Sequence, residues 1–276
     1  KKMRKSFKVA VLAAIGIFAT EAEAAATQDS CKALALSGGA SNGAWEVGVL
    51  WGLINYGTPS DYAYDVVTGV SVGSINSLFI AGWPKGQEVE MIQAGSDLWN
   101  NMTTDQVWKN WALSPVMGLT SKQGFLDNRP LLDFLKNMTD QFDRFYKRIT
   151  VSALNYSTGQ VEFFNQKNTP LEEFHKAAFA STCIPGAFPN YAWEQADGST
   201  KYYSDNFIIG NINPDSAIKQ CLELVDDESK ITIDVLLLGN MKDFETYPEH
   251  TGGWFEDKHH FKSYGNFMRG RQIKYQ

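Results

Sequence analysis

A chain of 276 residues, 43% hydrophobic and 20% charged, carries enough apolar material for one large domain with its own core. Its formal net charge of −6 leaves no basic excess to neutralise phosphates, which argues against a nucleic-acid partner. The charge leaves a membrane surface open, since apolar loops can contact lipid without a basic patch.

Lys1, Lys2, Arg4, Lys5 and Lys8 precede a short apolar run over residues 9–19, followed by small residues at Ala22-Glu23-Ala24 and Ala24-Ala25-Ala26. This is the pattern of a secretory signal peptide. The run is shorter than the ~20 apolar residues that usually span a membrane. Residues 1–26 are therefore read as a signal peptide and 27–276 as a single domain, secreted or delivered to the secretory-pathway lumen. Three cysteines, Cys31, Cys183 and Cys221, allow at most one internal bridge and leave one free thiol. With no CxxC and no HExxH, no metal site is expected. Three Asn-x-Ser/Thr sequons, at Asn101, Asn137 and Asn155, have meaning only in a eukaryotic source.

Residues 32–36 predict a short strand, and 37–43 a glycine-rich loop. Residues 44–56 predict a helix with Val47, Leu50, Trp51 and Ile54 on one face and Gly57 as its stop. A second buried strand is expected over 64–68 and a helix over 74–81. This order of strand, loop, helix, strand, turn and helix predicts an α/β domain with a central, mostly parallel sheet flanked by helices. The stretch 87–147 reads as mostly helical, with one helix opened by Asn128-Arg129-Pro130. Its Trp-rich part, 99–111, reads as a buried helix pair in preference to a membrane-contact surface. Strands at 149–154 and 160–164 are joined by Ser157-Thr158-Gly159. Thr169-Pro170-Leu171-Glu172 reads as a capping box for a helix to residue 180 that carries His175 on its surface. A strand over 201–204 leads to Asp205. Asn213-Pro214-Asp215 caps a helix ending near 224, and the apolar run 231–238 reads as a central strand. Beyond Gly239 the pattern fades, consistent with an incomplete C-terminal end.

A serine hydroxyl is a poor nucleophile without a base to take its proton and donors to hold the oxyanion that forms. Gly69-Val70-Ser71-Val72-Gly73 is a G-x-S-x-G pentapeptide between an expected strand and an expected helix, where glycines permit a sharp turn that exposes the serine. The loop Ser37-Gly38-Gly39-Ala40-Ser41-Asn42-Gly43 lies in a second strand–helix connection. Its small residues let backbone N–H groups face an anion beside a helix N-terminus. Neither the dinucleotide fingerprint nor a P-loop is met, which disfavours a nucleotide. For the base, two arrangements compete. One is a Ser-Asp-His triad with Asp205 or Asp234 and one of His250, His259 or His260. The other is Asp205 acting directly on Ser71.

Taken together, the blocks resemble the patatin-like phospholipase family. Leu36-Ser37-Gly38-Gly39-Ala40-Ser41-Asn42-Gly43-Ala44-Trp45 is similar to its oxyanion block. Gly69-Val70-Ser71-Val72-Gly73-Ser74-Ile75-Asn76 is similar to its nucleophile block. Ser204 to Pro214 falls where the family carries its catalytic aspartate, and 180–189 is similar to a further stretch without direct chemistry. The resemblance runs from about residue 32 to 238. It implies a three-layer α/β/α fold and a lipid acyl hydrolase acting on phospholipids or related acyl lipids at a membrane surface. It also implies a Ser71–Asp205 dyad, an acyl-enzyme, and an oxyanion hole from the N–H groups of Gly38, Gly39 and Ala40, with that of Val72 as an addition. No cofactor is implied, and protein partners are not indicated. Three departures stand out. Ala40 replaces a usual glycine, which is expected to preserve the donor only at negative φ. Asn42 replaces a usual Arg or Lys. Asn206-Phe207 replaces glycine after Asp205, where a glycine-only conformation would be hard on phenylalanine. That last departure motivates the alternative of a catalytically silent, lipid-binding relative.

Overall fold

The structure, a computed structural model, describes residues 28–112 and 122–238. The expected signal peptide and the triad candidates His250, His259 and His260 lie outside these residues. Strand β1 (Cys31–Leu36) feeds the glycine-rich loop and helix α1 (Gly43–Tyr56). Strand β2 (Val66–Val70) feeds helix α2 (Val72–Ala81). All five residues of β2 are buried, as expected for a parallel strand covered on both faces. Helices α3 (Glu88–Asn101) and α4 (Thr104–Val107) follow, then the short pair β3 (Lys109–Asn110) and β4 (Leu126–Asp127) and helix α5 (Arg129–Thr139), with Pro130 in its first turn as expected. Strands β5 (Arg148–Asn155) and β6 (Gln160–Asn165) form a hairpin, turned at Gly159 with φ 76°. Helix α6 (Phe174–Ser181), strands β7 (Tyr191–Glu194) and β8 (Thr200–Ser204), helix α7 (Pro214–Cys221) and strand β9 (Ile231–Leu236) complete the described chain.

The main sheet runs β7-β8-β5-β2-β1-β9, with β6 also paired to β5. The run β5-β2-β1-β9 is parallel, and β6, β8 and β7 extend it antiparallel. Alternation along the strands divides the core in two. Leu34, Leu36 and Val67 face a large cluster containing Leu50, Leu78, Leu135 and Phe174 from four helices. Cys31, Ala33 and Val66 face the other side, where α7 supplies Ala217 and Cys221. The expected α/β layering is thus present with unequal outer layers: α7 alone of the described α-helices shares the second cluster.

Four expectations change. The run 231–238 is not a central strand: β9 ends at Leu236, closes one end of the described sheet, and leaves Val235 half exposed. An apolar run reads alike for a strand with one neighbour or two. The capping box at Thr169 does not form. The Thr169 hydroxyl instead donates to Asn168 Oδ1 at 2.9 Å, and a 3-10 turn over Leu171–Glu173 precedes α6. His175 is buried, not on the helix surface, and desolvation lowers its pKa from the usual imidazole value. Strand β7 was not expected, although its hairpin to β8 turns at Asp197-Gly198, a dipeptide that signals such turns; Gly198 has φ 80°.

Cys31 at the start of β1 is bonded to Cys221 at the end of α7, and Cys183 is a buried free thiol. The bridge ties the lone helix of the second face to the sheet across 190 residues of sequence. Closing so long a loop restricts the unfolded chain, so Cys221→Ser is expected to lower unfolding free energy by about 2–4 kcal/mol. Urea denaturation with and without reductant measures this; an unchanged midpoint on reduction would contradict it.

Candidate active site

Strand β2 delivers Ser71 to the end of the sheet, and α2 begins at the next residue. Ser71 has φ 53° and ψ −124°, a conformation costing about 1–3 kcal/mol for a residue with a side chain. Its glycine neighbours serve close backbone approach, since neither has positive φ. A Cβ on Gly69 would collide with the Gly73 carbonyl, and one on Gly73 would lie 2.5 Å from the Leu36 carbonyl oxygen. The positive φ therefore falls on the serine itself. Hydrogen bonds hold it there. The Ser71 N–H donates to Ser181 Oγ at 2.8 Å. Ser74 Oγ lies 2.9 Å from Ser181 Oγ and 3.0 Å from the Gly69 carbonyl.

Asp205 follows β8 and has no solvent exposure. Its N–H donates to the Cys183 carbonyl at 2.9 Å, which also accepts the Ser204 hydroxyl at 2.8 Å. Oδ1 accepts the Phe207 N–H at 2.9 Å. Oδ2 has no partner within ordinary hydrogen-bond limits, yet the Ser71 hydroxyl is close enough to favour the charged carboxylate. The Ser71–Asp205 contact thus falls short of hydrogen-bond geometry, as is common before substrate binds. Burial pushes the carboxyl pKa up to about 7, with Ser71 and the Phe207 N–H acting the other way. The neighbouring Cys183 thiol is pushed by burial to about 12 and stays protonated at neutral pH. Asn206 and Phe207 form a 3-10 turn with Ile208, and neither has positive φ. The replacement of glycine after Asp205 is accommodated without left-handed backbone.

The glycine-rich loop abuts Ser71: a Cβ on Gly38 would lie 2.9 Å from Ser71 Cβ. Asn211 clamps Gly38, accepting its N–H at 3.1 Å and donating Nδ2 to its carbonyl at 2.9 Å. This corrects the expectation for Gly38, whose N–H is committed and not available to an oxyanion. Among the described residues, the N–H groups of Gly39 and Ala40 have no partner. Ala40 has φ 51°, so the condition of negative φ is not met, yet alanine occupies the left-handed region here and keeps its donor. Behind the loop, Asn76 Nδ2 donates to the Gly43 carbonyl at 3.0 Å and to Glu46 Oε2 at 2.8 Å. Its Oδ1 accepts Trp99 Nε1 at 3.0 Å, which ties α1, α2 and α3 together. Burial pushes Glu46 up to about 8, so it is mostly neutral at pH 7.

Ser71 opens into a cavity of about 560 Å³, lined by Ala40, Ile75, Trp99, Trp108, Leu131 and Phe188 among others. Trp99 and Trp108 thus wall the cavity, and the expected buried helix pair over 99–111 is not found: past α3 the segment holds only the four-residue α4, with no buried residue, and the exposed strand β3. Asp234 is not part of this group: it lies within β9 and accepts the Tyr64 hydroxyl at 2.6 Å. Ser181, Asn211, Asn76 and Glu46 were not anticipated. The stretch 180–189, expected to lack direct chemistry, bonds both Ser71 and Asp205 through Ser181 and Cys183.

Left-handed backbone costs alanine roughly 1–2 kcal/mol, partly offset by the greater unfolded-state freedom of glycine. Ala40→Gly is therefore expected to stabilise the fold by up to about 1 kcal/mol in urea denaturation. Destabilisation by that variant would contradict the left-handed assignment.

The profile of the patatin-like phospholipase family matches residues 34–218, more than half of the chain. A cGAMP-activated phospholipase of Vibrio cholerae serotype O1 is 25% identical over 213 residues, which are 68% of this chain and 56% of that protein. The chain thus spans little more than half the length of this relative. Among solved structures, VipD from Legionella pneumophila is similar over 75% of this chain and 50% of its own, with a TM-score of 0.47 and 13% identity. The type III effector protein ExoU is similar over 90% of this chain and 52% of its own, with a TM-score of 0.36 and 15% identity. On the extent of the profile match, with its order of glycine-rich loop, G-x-S-x-G elbow and buried aspartate, the chain belongs to the patatin-like phospholipase family.

Proposed function

We propose that the protein is a secreted lipid acyl hydrolase of the phospholipase A or lysophospholipase kind, using Ser71 as nucleophile and Asp205 as its base. The observation that carries this reading is the pairing of an elbow serine with a fully buried carboxylate whose proton affinity lies near neutrality. A carboxylate with a pKa near the working pH can both take and return a proton. Ionised Asp205 accepts the Ser71 proton as Oγ attacks the ester carbonyl. The oxyanion meets the N–H groups of Gly39, Ala40 and Val72. Protonated Asp205 then gives its proton to the departing alcohol, leaving an acyl-enzyme. Water, deprotonated by Asp205, hydrolyses that ester and restores Ser71. The apolar cavity supports an acyl chain as the group transferred, and family membership supports a phospholipid or related acyl lipid as substrate. The Cys31–Cys221 bridge supports an oxidising compartment, in keeping with the leader expected over residues 1–26.

Hydrolysis of a p-nitrophenyl ester, and of a phospholipid followed by mass spectrometry, is expected to vanish in Ser71→Ala. Asp205→Asn should lose about 10²–10⁴-fold in kcat. Full activity in Ser71→Ala would overturn the assignment. The pH dependence has a definite sign. The base must be ionised in the free enzyme, so kcat/KM rises about tenfold per pH unit below 7 and levels above it. A profile flat from pH 5 to 9 would remove Asp205 as the base.

A further inference from the structure

A second cavity, of about 740 Å³, lies between α3 and α5, and Met102 lines both it and the cavity that holds Ser71. The two cavities follow the same helix faces. Along α2, Val72 and Ile75 line the first, and Phe79 and Gly82 the second, at helical spacings of three and four. Along α5, Leu131 lines the first, and Phe134 and Met138 the second, at the same spacings. The two cavities therefore lie in line along α2 and α5, the outer one a trough beside their C-terminal halves, and Met102 borders both. Met102 ends α3 with extended backbone, φ −69° and ψ 126°. The next turn is closed by a capping box in which Thr103 and Gln106 cap α4 reciprocally. Met102 itself is unbranched, with three rotatable bonds, and is only half-buried. The floor of the outer trough is apolar, from Phe79, Phe134, Met138 and Phe142, while exposed Asn137 and Gln141 lie at its rim. An apolar floor with a polar, solvated rim fits an alkyl chain.

We propose that the two cavities form one acyl-chain channel partitioned by Met102, and that the preferred substrates are long-chain acyl esters whose distal methylenes pass Met102 into the α2–α5 trough. This rests on the hydrolase reading, and its test separates the two. Each methylene moved from water to an apolar site is worth roughly fourfold in affinity, so blocking the trough acts on long chains selectively. The measurement is kcat/KM for p-nitrophenyl esters of butyrate and palmitate in wild type, Met102→Trp and Ala94→Trp, the last filling the outer trough from α3. Both variants are expected to lower the palmitate-to-butyrate ratio by at least about tenfold, and Met102→Ala to raise it. An unchanged ratio in both tryptophan variants would overturn the channel. Palmitate binding to Ser71→Ala, followed by calorimetry, gives a readout independent of catalysis. Met102→Trp and Ala94→Trp in that background are expected to weaken it about tenfold, and equal affinity in all three would overturn the proposal. Loss of all ester hydrolysis with palmitate binding and its sensitivity intact would count against the hydrolase reading alone.

Discussion

The positive φ of Ser71 is the constraint on which the site depends. It costs free energy, and it persists because packing and hydrogen bonds around it hold the turn. The parallel register sets Leu36 beside Gly69, so the ends of β1 and β2 lie together. Gly73 then packs its bare Cα against the end of β1, and Gly69 packs against Gly73. Any side chain at either glycine would push α2 off the sheet. Ser181 and Ser74 complete the frame by bonding the backbone on both sides of the turn. With the turn closed, the serine side chain lies beside Gly38 and near the buried carboxylate of Asp205.

That carboxylate is governed by a competition. Complete burial favours its neutral form, while the Phe207 N–H and the Ser71 hydroxyl favour the charged one. Burial wins by enough to leave the pKa near 7. Its backbone is fixed from a distance, because the carbonyl of Cys183 accepts both the Asp205 N–H and the Ser204 hydroxyl. One short segment, Ser181 to Cys183, thus bonds the loops of both groups. Asn211 does the same for Gly38, six residues after Asp205 in the chain.

Much of this was legible in the sequence where the physics is local. The strand–turn–helix around Ser71 and the loop after β1 are marked by glycine spacing and by apolar runs, and their observed bounds differ by about two residues from those expected. Asn213 caps α7 through Ser216 as its sequence suggests. What was not legible depends on partners far along the chain. Nothing near Ser181 or Asn211 announces a bond to Ser71 or Gly38, because those bonds span 110 and 173 residues. Whether the strand ending at Leu236 is central or terminal depends on which strands flank it. The Thr169 box failed because the Thr169 N–H is already given to the Asn165 carbonyl, which leaves the Glu172 carboxylate no donor to accept. Ala40 and Phe207 were judged by residue type alone. The structure decides the backbone at each, placing alanine in the left-handed region and phenylalanine outside it.

The Ser71–Asp205 pairing is tested most directly by the rate at which a fluorophosphonate probe labels the intact protein as pH is varied. The account predicts stoichiometric labelling of Ser71, with a rate that climbs through pH 7 in the wild type. In Asp205→Asn the rate should be depressed and carry no such rise. Labelling of Ser71 that is equally fast and equally pH-dependent in Asp205→Asn would contradict it.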